Sequence, residues 1–422
     1  MSTPRKPDSR DRQVVAVPRS WLIALPLVMI LPWLVAAGVY YRLAPRAEEA
    51  GAGNEQPATR GTRIGPWGRL TVTPIVVSPP LEYVAADWNR EEAPDQWLFP
   101  DTSPDLLRSF LASSGFTPDQ VATLTSAARP EPRIRGFVVY PDREIVRSMS
   151  AEVRARVYNQ LARTSLNFDQ AQSFRFFGAD PDEWLRGSLI SDETREFVES
   201  LIYRDGEFLH FSDAELARAE IKDPAELQRL AKTLLRQSTM LVRLSIDRAG
   251  EVAALSQYWG RGGRSTDIRP LLESIAGAGD DRSIDIVHLL PAFARNRLYR
   301  YPQLTAADLD RPLLVNCLWS SLNFFRGQPD DRFLDLNTAL ATLRQDYYIV
   351  ESEYQLGDVV GFVDAEGDLF HAAVYVADDL LFTKNGTSPV APWTLMPIDR
   401  VKGYYRFHAE NPRLIFHRRK DL

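Results

Sequence analysis

One cysteine stands in a sequence setting that suits nucleophilic chemistry. Cys317 is the single cysteine of the chain, and Asn316 before it is a residue type that often caps a helix N-terminus. The positive end of a helix dipole stabilises a thiolate and lowers the pKa of the thiol, and the thiolate is the nucleophilic form. The alternative is a packing role, because Cys317 lies in an apolar stretch and cysteine is among the most buried residue types.

A histidine and two polar residues downstream can complete a catalytic arrangement. His371 begins a strand-like run, from which it could face a helix N-terminus across a small sheet and act as a general base. Thr383 and Asn385 follow on the next strand-like segment, and either could bond the far ring nitrogen and fix its tautomer. Without catalysis, His371 is a hydrogen-bonded residue at a strand end, and Asn385-Gly386 is a common turn dipeptide.

The C-terminal third contains the elements that would position these side chains. A helix is expected over 316–325, and apolar runs separated by Gly- and Asp-rich turns predict strands after it. The predicted strands cover 359–363, 372–376, 380–383 and 414–417. A helix followed by an antiparallel meander is an α+β arrangement. The helix would carry the cysteine, and the second strand would carry the histidine.

The order of these motifs resembles the NlpC/P60 family of papain-like cysteine hydrolases. The residues that carry the resemblance are Cys317 at a helix start, Gly357-Asp358-Val359-Val360-Gly361-Phe362, His371-Ala372-Ala373-Val374-Tyr375-Val376, and a polar residue on the next strand. The resemblance covers 299–407, about a quarter of the chain. It departs from the family at the cysteine, where Asn316-Cys317-Leu318-Trp319 replaces the usual Asp-Cys-Ser-Gly.

The resemblance implies a papain-like domain over 299–422 and a role for each candidate residue. Cys317 would be the nucleophile, His371 the general base, and Thr383 or Asn385 the residue that orients the ring. Tyr301 lies in an upstream segment that resembles the family's tyrosine-containing lead-in, in which a tyrosine helps to bind the oxyanion. Members of the family commonly cleave peptide bonds in bacterial cell-wall stem peptides, so an amide bond of this kind is the expected substrate. No cofactor is expected.

The region 67–298 is expected to be a mainly helical accessory region. Strands are predicted at 70–77 and 137–140, and helices at 105–113 and 118–127. From 148 to 296 the pattern is mostly helical, with capping residues that mark four helix starts: Ser150, Ser191, Ser212 and Asp223. No motif here has a chemistry that can be named, which favours a region that packs against or positions another part.

The N-terminus has the pattern of a single-pass membrane anchor. Residues 21–41 contain no charged side chain, and a helix of this length spans a hydrocarbon core of about 30 Å. Basic residues are concentrated before this segment, so the positive-inside rule places the tail 1–20 in the cytoplasm of a bacterial cell and the rest outside the membrane. A Gly- and Pro-containing linker is expected over 42–66. The alternative is a cleaved signal peptide, whose apolar core would normally be shorter.

Composition excludes several other classes of function. The formal net charge of −6 argues against a general nucleic-acid binder. One cysteine excludes an intramolecular disulfide and a multi-cysteine metal site, and five scattered histidines argue against a metal centre.

The leading hypothesis is a membrane-anchored cysteine hydrolase outside the cytoplasmic membrane. The alternatives are a non-catalytic binding or scaffolding module of the cell envelope and a cysteine-dependent acyltransferase. The sequence does not indicate an oligomeric state.

Overall fold

The computed structural model describes residues 60–81, 84, 95–246, 249–278, 282–302, 314–388 and 390–422. The predicted cytoplasmic tail 1–20, the predicted membrane span 21–41 and residues 42–59 of the predicted linker lie outside these residues. In the described ranges, no helix is both long enough and apolar enough to cross a membrane.

Helices and antiparallel strands make up the described chain, which confirms the α+β class at this level. The strands are β1 (Arg60–Gly65), β2 (Gly68–Val77), β3 (Trp97–Phe99), β4 (Ala128–Glu131), β5 (Gly136–Val139), β6 (Phe174–Phe177), β7 (Tyr203–Asp205), β8 (Phe208–Phe211), β9 (Gln237–Ser245), β10 (Ser283–Asp285), β11 (Tyr347–Val350), β12 (Val359–Val363), β13 (Leu369–Ala377), β14 (Leu380–Lys384), β15 (Trp393–Pro397) and β16 (Arg413–Arg419).

The α-helices extend from the first accessory segment to the C-terminal sheet. They are α1 (Pro104–Ser114), α2 (Pro118–Ala127), α3 (Arg143–Ser148), α4 (Ala151–Leu161), α5 (Phe168–Ala171), α6 (Pro181–Leu185), α7 (Asp192–Leu201), α8 (Ala214–Glu220), α9 (Pro224–Leu234), α10 (Val252–Trp259), α11 (Ser265–Gly277), α12 (Ala292–Arg295), α13 (Cys317–Leu322), α14 (Leu336–Asp346) and α15 (Ile398–Tyr404).

The C-terminal sheet has six strands in the order β11-β16-β12-β13-β14-β15, all antiparallel. Each of the four strands predicted from the sequence is present, as β12, β13, β14 and β16. The edge strands β11 and β15 were not predicted. The prediction of a helix over 316–325 is confirmed in its start, but α13 ends at Leu322.

The two faces of this sheet pack against different cores. Alternate residues of a strand point to opposite faces, and Val374 and Phe382 accordingly join the large core that includes Leu318 and Leu322 of α13. On the other face, Ala373 and Leu381 join a smaller core with residues of α15 and the segment after it. The sheet therefore lies between α13 on one side and α15 on the other.

A second sheet, in the order β1-β2-β9-β10, begins inside the predicted linker. The linker prediction is therefore wrong for the residues from Arg60 onward. The apolar pattern of the sequence does not reveal this strand, because backbone pairing with β2 and ion pairs stabilise it. Arg63 forms ion pairs with Asp378 and Asp379, in the turn between β13 and β14.

The accessory region contains two small three-stranded sheets, β3-β5-β4 and β6-β8-β7, set among its helices. The expectation of a mainly helical region is wrong for β6 to β10, which no pattern in the sequence indicated. Four of these strands have only three or four residues, too few for a period of two to be visible. The helices and small sheets enclose a second large core that includes Trp97, Tyr158, Trp184 and Phe211.

The predicted helix starts in this region coincide with capping residues in the structure. Side chains of Ser103, Thr117, Ser150, Ser191 and Asp223 each accept a backbone N–H of the first helical turn. The start predicted at Ser212 is close to that of α8, whose N-cap is Asp213. The Asp213 side chain makes no capping bond, since its carboxylate pairs with Arg154 in the interior and accepts from the hydroxyl of Tyr158.

One large core extends across the domain boundary predicted at residue 299. It contains Leu70 and Val242 of the four-stranded sheet together with Leu318 of α13 and Leu395 of β15. The hydroxyl of Thr239 in β9 accepts from the Leu395 N–H at 2.9 Å and donates to the Leu395 carbonyl at 3.0 Å. The predicted division at 299 therefore does not correspond to a division between cores.

Candidate functional site

Cys317 is the first residue of helix α13, as the sequence predicts. The side chain of Asn316 accepts a hydrogen bond from the Trp319 N–H at 2.9 Å and so acts as the N-cap. The buried side chains of Leu318, Trp319 and Leu322 hold the helix against the sheet. Cys317 as a whole residue is partly exposed, but its thiol is enclosed by protein.

The thiol of Cys317 lies beside strand β13, at the residue that follows His371 in the sequence. Its sulfur accepts a hydrogen bond from the backbone N–H of Ala372, the residue that follows His371. The register between β13 and β14 ends with the pair Val374 and Phe382, and the N–H of Ala372 lies beyond that pair. The end of α13 that carries the cysteine is therefore docked where these two strands stop pairing.

Burial raises the pKa of the Cys317 thiol, which contradicts the expectation of a lowered pKa. The backbone N–H groups of Ala372 and Leu318 and the nearby Lys384 act in the opposite direction, but the loss of hydration is the largest effect. A short helix contributes little positive potential, and water is a better solvent for a thiolate than the interior. The resting form is the neutral thiol.

His371 is buried, and its ring contacts two aromatic side chains and is hydrogen-bonded at one nitrogen. It is 1% exposed, stacks on Tyr405 with ring centroids 4.2 Å apart, and contacts Phe362 at 5.4 Å. Its Nε2 lies 2.9 Å from the Thr383 hydroxyl, which donates in turn to Oδ1 of Asn385 at 3.2 Å. Because the Thr383 proton is used for Asn385, Thr383 accepts from the ring, and the proton of the neutral imidazole is on Nε2.

The other ring nitrogen of His371 is the unprotonated one. Nδ1 is buried and has no hydrogen-bond partner among the described residues. Burial lowers the pKa of His371 to about 3, with a further small effect of His408. The ring is therefore neutral near pH 7, with a free lone pair at Nδ1 that can accept a proton.

The structure places the two candidate orienting residues in series. Thr383 contacts the ring, and Asn385 holds the Thr383 hydroxyl while its own amide lies 3.4 Å from the sulfur of Met396. The sequence left the choice between them open. Both side chains, together with His371, are on the face of the sheet that carries α15.

Tyr301 is not brought to this cluster by any hydrogen bond of the described chain. Its hydroxyl lies 3.2 Å from the carbonyl oxygen of Val77 and 3.3 Å from that of Leu235, at the accessory region. A hydroxyl has one proton to donate, and here these carbonyls take it. The Tyr301 hydroxyl thus links the end of β2 to the residue that follows α9.

Two residues beside the cluster were not identified from the sequence. Lys384 ends β14 with its side chain fully buried, and Tyr405 covers the His371 ring. The Tyr405 hydroxyl accepts from the Gly386 N–H at 3.1 Å. A lysine in a strand whose neighbours are apolar is a visible signal, whereas Tyr405 has no motif and reaches the ring only through the packing of α15.

Among the residues that the structure describes, no group of three or more His, Cys, Asp or Glu side chains is placed to hold a metal ion. No protein-family model, curated protein or solved structure matches this chain.

Proposed function

We propose that this protein is a papain-like cysteine hydrolase of the bacterial cell envelope that cleaves an amide bond. The observation that carries the proposal is the state of His371, whose Nε2 is bonded to Thr383 while Nδ1 is free, next to the residue that contacts the Cys317 sulfur. This is the arrangement of a general base that is held by one nitrogen and acts with the other. The resemblance to the NlpC/P60 family, with its cell-wall peptide substrates, and the predicted membrane span 21–41 support the class of substrate and the location.

The proposed reaction starts from a neutral pair. No hydrogen bond joins Nδ1 of His371 to the Cys317 sulfur in the structure, so the proposed reaction requires the two groups to approach each other at the end of β13. Nδ1 then takes the proton of the thiol as the sulfur attacks the amide carbonyl and forms a C–S bond. The backbone N–H of Cys317 helps to stabilise the oxyanion. The imidazolium then gives its proton to the leaving amine as the C–N bond breaks. Water, deprotonated by His371, attacks the thioester and releases the acid, which returns the thiol and the neutral ring.

One observation favours a second candidate function, a binding or scaffolding module that keeps this shape without turnover. His371 is almost fully buried and its pKa is lowered to about 3, while burial raises the pKa of Cys317. Both groups are thus neutral at rest, as in an unreactive core. A third candidate, acyl transfer, uses the same thioester with an amine or hydroxyl acceptor in place of water.

The substitution Cys317→Ala tests the proposal directly. We expect the full chain to release new amino and carboxyl termini from isolated cell-wall stem peptides, and the alanine variant to release none, because the sulfur forms the bond that activates the carbonyl. The measurement is mass spectrometry of the products, with and without added amine acceptors, which separates hydrolysis from transfer. Ser321→Ala is the matched control on the same helix. Equal release by the Cys317→Ala variant would contradict the proposal, and binding of the peptides without cleavage by either protein would favour the binding module.

A further inference from the structure

Lys384 is a buried lysine that the reaction described above does not use. Its side chain is on the last residue of β14, and the residue is 0% exposed. Phe382, two positions earlier, belongs to the core that contains α13, and alternate strand residues share a face. Lys384 therefore lies on the side of the sheet that carries Cys317. Trp393, its partner in β15, also donates from Nε1 to the Ser320 hydroxyl of α13 at 2.9 Å.

The side-chain nitrogen of Lys384 is held at a fixed place by two backbone oxygens. Nζ donates to the carbonyl of Gly386 at 3.0 Å and to that of Ser388 at 2.9 Å. An ammonium group has three N–H bonds, so one remains for another acceptor. The ring of Trp393, with its centroid 5.8 Å from Nζ, supplies a further surface that favours a cation.

Among the described residues, Cys317 is the group whose negative form would balance the positive charge of Lys384. No carboxylate of the described residues forms an ion pair with Nζ, and a buried ammonium without a counter-charge is costly. Burial lowers the pKa of Lys384 to about 7, and Cys317 is the group that acts in the opposite direction. Lys384 in turn favours the ionised form of Cys317. The interaction is reciprocal, as a coupling between two charges must be.

We propose that the ammonium group of Lys384 is the counter-charge of the Cys317 thiolate. The inference rests on the proposed role of Cys317 as the nucleophile and adds a residue to that site. His371 Nδ1 takes the thiol proton, Lys384 keeps its own, and the negative sulfur is stabilised by the fixed ammonium until the C–S bond forms. The retention of a lysine in a wholly buried position is explained by this role, because a packing role would be met by an apolar side chain.

The first experiment measures the pH dependence of alkylation of Cys317 by iodoacetamide in the full chain. We expect Lys384→Met to move the midpoint of this profile upward by about one pH unit or more, which is a tenfold lower rate at a fixed pH below the midpoint. Lys384→Arg, which keeps the charge, should restore most of the rate. The matched control is Lys402→Met, since Lys402 is on the surface of α15 and pairs with Asp399. An unchanged midpoint in a folded Lys384→Met variant overturns the proposal.

A second measurement uses the unmodified protein, so it still tests the proposal if the Lys384→Met variant does not fold. An ammonium beside the sulfur attracts an anionic reagent, so we expect the ratio of the iodoacetate rate to the iodoacetamide rate at Cys317 to exceed that of N-acetylcysteine several-fold at low salt and to fall as salt is added. A ratio equal to that of N-acetylcysteine overturns the proposal.

The outcome for Lys384 is separable from that for the hydrolase proposal. Peptide release that is lost in the Cys317→Ala variant, together with an alkylation midpoint that Lys384→Met leaves unchanged, refutes the role of Lys384 alone. A shifted midpoint in a protein that releases no peptide refutes the hydrolase and retains the charge pair.

Discussion

Thr383 sets the tautomer of the His371 ring, because its hydroxyl can accept a hydrogen bond from the ring only while its own proton is bound elsewhere. Asn385 takes that proton, and so Thr383 accepts from Nε2 of His371. Two uncharged side chains thereby select the tautomer of the ring, a role that a carboxylate often has beside a histidine. They do so without raising the basicity of the ring, consistent with the lowered pKa of His371.

Replacing Thr383 by Val removes the acceptor and keeps the volume. The Nε2–H of a buried ring is then left without a partner, which costs about 1–3 kcal/mol of unfolding free energy. Loss of the tautomer should also lower the rate of peptide release by on the order of tenfold or more. Urea unfolding and the peptide assay measure the two effects, with Thr383→Ser as the control that keeps the hydroxyl. A valine variant as stable and as active as the serine variant would refute this account of His371.

Candidate site residues could be identified from the sequence where residue type and order along the chain were sufficient to indicate a role. Cys317, His371 and the alternatives Thr383 or Asn385 follow from motif order, and the structure places these side chains around the end of β13. The direction of the thiol pKa did not follow, because it depends on how much water α13 excludes when it docks. The apolar neighbours of Lys384 in β14 were a signal of its burial, but the sequence does not show what packs over a terminal strand residue.

At the scale of elements, the accessory region contacts the segment that covers the His371 ring. Arg175 of β6 donates to the Tyr404 carbonyl at 2.9 Å and lies 4.7 Å from the ring centroid of Phe407. Phe208 of β8 contacts the Tyr404 ring at 6.1 Å. Tyr405, between these anchors, stacks on His371. The small sheet β6-β8-β7 thus fixes the position of α15 and of the aromatic cover over His371.

We expect Arg175→Ala to loosen this cover without unfolding the protein. A hydrogen bond from a charged group contributes about 1.5–3 kcal/mol, so amide exchange in 398–408 should become roughly tenfold faster or more. Hydrogen exchange followed by mass spectrometry measures this, and Arg204→Ala is the matched control. Arg204 is on β7 of the same sheet but donates only to carbonyls of Gly178 and Ala179, among the contacts described for it. Equal exchange in the two variants would show that the sheet does not hold α15.

An element could be predicted from the sequence when the residues that define it lie within it or directly beside it. Helix starts were predictable because a capping side chain such as Thr117 acts on the turn directly after it. The end of α13 was not, since Asn323 turns the chain there by bonding the Trp319 carbonyl and the Asp330 N–H. The strand β15 was missed because it is defined by its partners, β14 and the neighbouring β9.

At the scale of the whole molecule, the candidate site depends on residues from both sides of position 299. Tyr258 of α10 donates its hydroxyl proton to the Val376 carbonyl of β13 at 2.8 Å. Tyr299 donates to the Met240 carbonyl of β9 at 2.6 Å, and its N–H bonds the Trp393 carbonyl. The change of sequence pattern near 299 marks a change of secondary structure, from mixed helices and short strands to one broad sheet. It does not mark the end of a folding unit.

The fragment 299–422 is therefore expected not to fold alone, although it contains Cys317, His371 and Thr383. Removal of β2, β9 and α10 takes away the residues that contact this sheet at β13 and β15, where Val376 and Leu395 are buried. Each large apolar side chain that returns to water costs roughly 1.5–3 kcal/mol. Four such side chains amount to about 6–12 kcal/mol, which is comparable to the whole stability of an ordinary domain, about 5–15 kcal/mol. Urea unfolding followed by near-ultraviolet circular dichroism tests this, with 60–422 as the control that should unfold cooperatively. A cooperative transition in the 299–422 fragment would show that the sheet and α13 form an independent domain and that the shared core is only a contact.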